Sequence, residues 1–186
     1  MSLKYNPLHT KSYRKDNNGL LRPTFFNNGE ELKENEIRAG GVIFYTYINK
    51  KLHILLIKKT ETNIYEDFGG KTDMLDLTIL DTISREVEEE SNKIFSKENI
   101  KKRLENNIKN NIYYRKSKYK IYFLEISNID CKLFGIKEIH DNIPRTVHWI
   151  SYDDFIDLKI NNKINPRLHS NYIYMQLNYF MYLNEK

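Results

Sequence analysis

Gly69 to Asn92 reads GGKTDMLDLTILDTISREVEEESN, and every other part of the chain takes its meaning from this stretch. Leu80, Ile83 and Val87 recur at three- and four-residue spacing, which predicts a helix from Thr78 to about Ser91. At about 100° per residue, Glu86, Glu89 and Glu90 fall within about 100° of one another, beside an aliphatic sector about 60° wide. Three like charges so placed repel, and they sit toward the helix C-terminus, where the dipole disfavours anions. Hard cations with oxygen ligands are the natural compensation. Arg85 is adjacent and able to pin a carboxylate through a bidentate contact. Ahead of the helix, Gly69 and Gly70 are expected to form a loop that lets backbone approach a ligand, and Lys71 puts a cation where a phosphate would pass. A Glu run alone is most often a solvated helix face. The Gly-Gly-Lys loop in front of this one favours a device that holds divalent metal against phosphate. Asn92 tolerates the left-handed conformation common where helices end.

The segment resembles a Nudix box, the signature of the Nudix hydrolases, whose pattern is G-x5-E-x7-R-E-U-x-E-E-x-G-U with U aliphatic. Gly70 supplies the opening glycine, and Asp76 stands in for the first Glu. Arg85-Glu86-Val87 matches R-E-U, and Glu89-Glu90 matches the acidic pair. The chain departs from the pattern in three places. Eight residues rather than seven separate Asp76 from Arg85, Asn92 replaces the last glycine, and Lys93 replaces the final aliphatic residue, with Ile94 offered for its packing role. These departures bear on the shape of the loop and on substrate preference, not on the expected metal ligands. The run AGGVIFY and the later HWISYDDF extend the resemblance over roughly residues 37 to 186.

The resemblance implies an α+β fold, an α/β/α sandwich with a mixed sheet between helices. It also implies hydrolysis of a pyrophosphate bond in a nucleoside diphosphate linked to another group. By the same resemblance Glu86, Glu89 and Glu90 ligate Mg²⁺ or Mn²⁺ with the carbonyl of Gly69 or Gly70, and Arg85 orients the carboxylates. Glu86 and Glu89 are thereby placed in the catalytic set, with Glu86 a candidate base. In some members the base lies outside the box; Glu138 is the nominee here and Asp141 the second, both in the loop before the Trp149 strand. His140 and His148 are weaker acid/base candidates, since a lone histidine is more often structural.

Length and composition are bland. The 186 residues suit one domain. Thirty Lys+Arg against 25 Asp+Glu leave a net charge of +5, which favours anionic partners. One cysteine, Cys131, excludes an internal disulfide, no apolar run approaches the roughly 20 residues of a membrane span, and MSLKYNPLHTKSYRK is expected not to act as a secretory signal, since it lacks an apolar core. The expectation is a soluble cytoplasmic protein with no membrane partner.

Residues 1–36 are polar and rich in Asn, and they read as an irregular basic arm ahead of a domain over 37–186. A hairpin is predicted from Ala39–Tyr45 and Leu52–Ile57. A second helix should run from Ser96 with Ile100, Leu104 and Ile108 as its apolar stripe. A further hairpin spans Ile112–Leu124, a strand covers Thr146–Ile150, and helices open at Tyr152 and near His169.

For the substrate, Lys71, Lys58 and Lys59 are candidate phosphate contacts, and Lys11, Arg14 and Lys15 of the arm are placed to track an anionic chain. YYRKSKYK, residues 113–120, interleaves aromatics and cations as a stacking surface for RNA would, although an ordinary hairpin with packed Tyr and solvated Lys is the better explanation. RNA, and with it the mRNA cap, is thus a candidate partner beside free nucleotide derivatives. The rival class is a Nudix-fold module that binds RNA or nucleotide without catalysis.

Overall fold

The computed structural model describes residues 11–27 and 29–184. The two β-rich runs pair as the predicted hairpin, and with five other strands they build a mixed sheet. In the order used below, the strands are β1 Lys11–Lys15, β2 Leu21–Phe26, β3 Glu36–Ile37, β4 Ala39–Ile48, β5 Lys51–Lys59, β6 Tyr65–Glu66, β7 Phe68–Lys71, β8 Asn111–Tyr114, β9 Tyr119–Glu125 and β10 Arg145–Ser151. The α-helices are α1 Ile79–Glu90, α2 Lys97–Asn106, α3 Tyr152–Ile160 and α4 Asn171–Asn184.

The main sheet runs β10-β5-β4-β9-β8, with β4 and β9 parallel and the other neighbours antiparallel. One edge of β4 is shared. Its second half, from Phe44, pairs with β5, while Ala39 to Val42 pair with β7. Because β5 has left β4 at that point, the Gly-Gly-Lys segment enters as a strand, in register Gly40↔Gly70 and Gly41↔Gly69. The expected glycine loop is therefore sheet.

Side chains alternate across the sheet. Val42 and Phe44 face one core with Ile83, Val87, Ile100 and Leu104 from α1 and α2. Ile43 and Tyr45 face the other with Phe155, Ile173, Leu177 and Phe180 from α3 and α4. The result is the α+β sandwich expected, with helices on both faces. Among the described residues no helix is long and apolar enough to cross a membrane.

Three readings need correction. The arm is not irregular over its described part: β1, β2 and β3 form a separate antiparallel sheet. Its order comes from burial that periodicity did not reveal, since Phe25 and Ile37 enter the α1–α2 core and Thr72 donates its hydroxyl to the Pro23 carbonyl at 2.6 Å. Residues 1–10 lie outside the described residues. Ile108 falls beyond the end of α2 and is exposed. The hairpin β8–β9 is present, but part of its expected stacking surface is turned inward. Tyr119 and Lys120 are buried, Tyr113 is turned to the Glu34 and Glu36 carbonyls, and Lys118 pairs with Glu36.

The two glycines of β7 are required by neighbours on different sides. A Cβ on Gly69 would overlap backbone, the Gly40 carbonyl oxygen and the Gly41 Cα; one on Gly70 would overlap the flexible end of the Glu86 side chain. Gly69→Ala is expected to cost about 2–3 kcal/mol in denaturant unfolding, and Gly70→Ala less than about 1 kcal/mol while displacing Glu86. Equal losses in the two variants would contradict this packing.

Candidate active site

The site is assembled from the start of α1. Thr78 caps it in a reciprocal box: the Asp81 N–H donates to Thr78 Oγ1 at 3.2 Å, and the Thr78 N–H donates to Asp81 Oδ2 at 2.8 Å. The segment between β7 and α1 then folds back on Asp76, which is 1% exposed. Asp76 accepts from the Asp73 N–H and the Thr82 hydroxyl, both at 2.7 Å, and from Arg85 Nε and Nη2, both at 3.3 Å. The same guanidinium donates to Glu86 at 2.9 Å, to Glu89 at 3.1 Å and to the Lys71 carbonyl at 3.0 Å. Arg85 thus ties the loop, the strand and two acids to one plane, a wider role than pinning one carboxylate.

Glu90 turns toward the sheet, where its carboxylate accepts from the Gly69 N–H at 2.6 Å. Burial, followed by the charges of Glu86 and Glu66, raises its pKa well above the ordinary range. Burial likewise pushes Glu86 up to about 7 in spite of the adjacent Arg85. These carboxylates are held short of water with less positive charge than they need.

A second wall faces α1. Glu138, 8% exposed, His140 and Asp141 line the same open cavity of about 330 Å³ as Glu86, Glu89, Glu90 and Gly70. One ligand atom from each of Glu138, His140 and Asp141 lies within 4.8 Å of the others. Asn92 brings this wall in. Its backbone is left-handed at φ 54°, as a glycine substitute requires, and its amide nitrogen donates to the Phe134 and Lys137 carbonyls at 2.8 and 2.9 Å. Its amide oxygen accepts from the Ile139 N–H at 2.9 Å. A glycine would end the helix equally well but leave the loop that carries Glu138 untied.

The remaining candidates separate. Lys71 and Lys59 line the cavity, and Lys59 pairs with Glu66 at 2.6 Å. Lys58, one residue earlier on β5, is not among the lining residues; its ammonium lies over the Tyr65 ring at 5.5 Å. His148 is also outside the lining and bonds Thr146 Oγ1 at 2.7 Å. Strand alternation, which no single lysine or histidine announces, accounts for the Lys58 and Lys59 difference.

Several residues behind the site went unread. Asp67, fully buried, accepts from Arg167 Nε at 2.6 Å and from the Tyr119 hydroxyl at 2.9 Å. Arg167 also approaches Glu66 at 3.6 Å. Arg145, 1% exposed, donates to the Glu90 carbonyl. Arg22, from β2, lines the cavity and donates to the Thr72 carbonyl at 2.7 Å. The Glu66-Asp67 pair just before the glycines was the available signal; Arg167, 100 residues further on, carried none.

With that geometry in view, the solved structures can be compared. An Ap4A hydrolase from C. elegans, in a binary complex, matches with a TM-score of 0.50 and 16% identity, covering 79% of this chain and 96% of that one. The Nudix domain of Shewanella oneidensis NrtR bound to ADP ribose matches at TM-score 0.43 and 14% identity, over 65% and 76% of the two chains. A Francisella tularensis bifunctional NMN adenylyltransferase/ADP ribose pyrophosphatase with AMP and a Mn ion matches at 0.43 and 18%, over 74% of this chain and 40% of that one. The fold is Nudix-like. No family model and no curated protein matches the sequence.

Among the described residues, the group of three whose ligand atoms close to within 4.8 Å of one another is Glu138 with His140 and Asp141, while the carboxylates of Glu86, Glu89 and Glu90, all oxygen, line the same cavity beside Gly70 without forming such a group.

Because the raised pKa of Glu86 makes the folded protein bind a proton that the unfolded chain releases, its contribution to stability is present below about 4.5 and is lost as pH rises through about 7. In EDTA, Glu86→Gln is expected to remove that loss and unfold about 1–2 kcal/mol less readily than wild type above pH 7. A wild-type-like pH slope in the variant would contradict it. Asn92→Gly is expected to keep Tm within a few degrees while increasing amide exchange over residues 134–140, read by hydrogen exchange; unchanged exchange there would show that Asn92 does not hold the loop.

Proposed function

We propose that this chain is a divalent-metal-dependent pyrophosphohydrolase that cleaves a diphosphate bond in a nucleotide derivative. The observation that carries the reading is the convergence of Glu86, Glu89 and Glu90 with Glu138 on one cavity whose rim also holds Lys71, Lys59 and Arg22. Carboxylates and cations gathered on one cavity suit a ligand that arrives as metal plus diphosphate. The Nudix-like fold supports the same class.

In this reading Glu86, Glu89, Glu90 and the Gly70 carbonyl would hold Mg²⁺ or Mn²⁺. Such an ion, when bound, would neutralise diphosphate charge and acidify a water. Arg85 fixes the carboxylates of Glu86 and Glu89 through hydrogen bonds that survive without the ion. Gly69 fixes Glu90 by its N–H. Glu138 faces them with its pKa raised by burial and by the neighbouring Asp141, the condition that suits a carboxylate for taking a proton from water near neutral pH. Lys71 and Lys59 would meet phosphate oxygens. Substrates of the class are nucleoside diphosphates linked to another group, a set that includes the mRNA cap. Residues 37–186 would be the catalytic domain, with Arg22 supplied by the preceding sheet.

The binding-module alternative lacks support, because the acids, Arg85 and its contacts are all intact. A screen of nucleotide derivatives with Mg²⁺ or Mn²⁺, read by mass spectrometry, tests the reading. Glu89→Gln and Glu90→Gln are expected to lower metal-dependent turnover by roughly two orders of magnitude or more with Tm little changed. Full activity in both variants would rule the proposal out.

A further inference from the structure

Helix α4 is apolar on two opposite faces. Ile173, Tyr174, Leu177 and Phe180 occupy one of them and are buried in the core on the α3–α4 side of the sheet. At about 100° per residue, Tyr172, Met175, Tyr179, Tyr182 and Leu183 fall in a second sector about 100° wide, pointing away from that core. These five side chains are 49% to 67% exposed. A helix that is apolar all round is normally buried all round. At those exposures the second face presents on the order of 500 Å² of largely apolar surface, a size at which a patch marks an interaction site.

Charge and spacing decide what covers it. From Asn171 to Asn184 the helix carries no charged side chain, although 30% of the chain is charged. A nucleic acid or an anionic lipid surface would call for cations on this face. Two copies of this chain have the opposite requirement: each carries a net charge of +5, and a two-fold axis brings a patch against itself. A seam without charge lets them meet with no like charges facing. Tyr172, Met175, Tyr179 and Tyr182 also follow the 3-4-3 spacing of a coiled-coil seam. Run antiparallel about a two-fold axis, that row complements itself: Met175 meets Tyr179 of the partner subunit, and Tyr172 meets Tyr182 of the partner subunit. Asn171, Gln176 and Asn178 flank the row with amides that tyrosine hydroxyls can use at a polar rim. We infer that α4 pairs antiparallel with α4 of a second copy, forming an isologous dimer. Two such faces bury on the order of 1,000 Å², the lower limit for a specific association, which suits a reversible dimer. Because α4 and α1 pack on opposite faces of the sheet, the cavity stays open in the pair, and the inference does not depend on the hydrolase reading.

Sedimentation equilibrium of the full chain tests the assignment. Wild type is expected to be dimeric by about 100 µM. Met175→Lys and Tyr179→Lys are each expected to weaken the dimer at least about tenfold while far-UV circular dichroism stays that of wild type. The double variant Met175→Glu/Tyr179→Lys sets opposite charges across each layer only when the helices run antiparallel. It is expected to associate about tenfold more tightly than Tyr179→Lys alone. Leu133, 63% exposed and next to Phe134 of the α1–α2 core, supplies the control for an apolar residue elsewhere. Leu133→Lys is expected to leave association within about twofold. A wild type that stays monomeric would overturn the inference and give the face to another segment or another protein. A dimer that neither lysine weakens, an equal loss in Leu133→Lys, or a double variant no tighter than Tyr179→Lys would overturn it as well.

Discussion

Four acceptors meet on the guanidinium of Arg85: Asp76 from the loop, Glu86 and Glu89 from its own helix, and the Lys71 carbonyl from β7. The rest of the site depends on this junction. A helix that places three carboxylates near its C-terminus works against both mutual repulsion and its own dipole. One rigid cation, with donors fixed in a plane, offsets part of that cost and sets the direction of two of the acids. It does not offset all of it, as the raised pKa of Glu86 shows. The remainder is negative charge that the neighbouring side chains leave uncompensated.

Around the junction, each neighbouring element is held by a contact with a single purpose. Gly69 is a glycine because backbone of β4 lies where its Cβ would be, and its N–H is thereby free to take Glu90. Asn92 ends α1 and, in the same residue, ties in the loop that delivers Glu138 and His140. Asp67 and Arg167 form a buried pair under β7, reinforced by Tyr119, so the strand that carries the glycines cannot shift without uncovering charge. The cavity acids are thus positioned from the helix, the sheet and the loop at once.

What could be read in advance follows from how far each signal reaches along the chain. Helix α1 was legible because its period, its cap at Thr78 and its stop at Asn92 are local. So was the hairpin of β4 and β5. The acids of the box were singled out through spacing, and Glu138 through its place in a loop, and the fold brings them to one cavity. Lys58 and Lys59 were indistinguishable, because only the pairing of β5 decides which of two adjacent lysines faces the cavity. The first sheet was missed for a related reason: Phe25 and Ile37 are single apolar residues whose burial depends on a core built more than forty residues later. Arg145, Arg167 and Arg22 are charges defined by their partners, and partners are not visible in a list of residues.

The central proposal, that Glu86, Glu89 and Glu90 bind a divalent cation, is tested most directly by diffraction. Crystals soaked in Mn²⁺ and measured near the manganese absorption edge should show an anomalous peak within coordination distance of these three carboxylates and of the Gly70 carbonyl. No peak there, or one confined to Glu138, His140 and Asp141, would contradict the account.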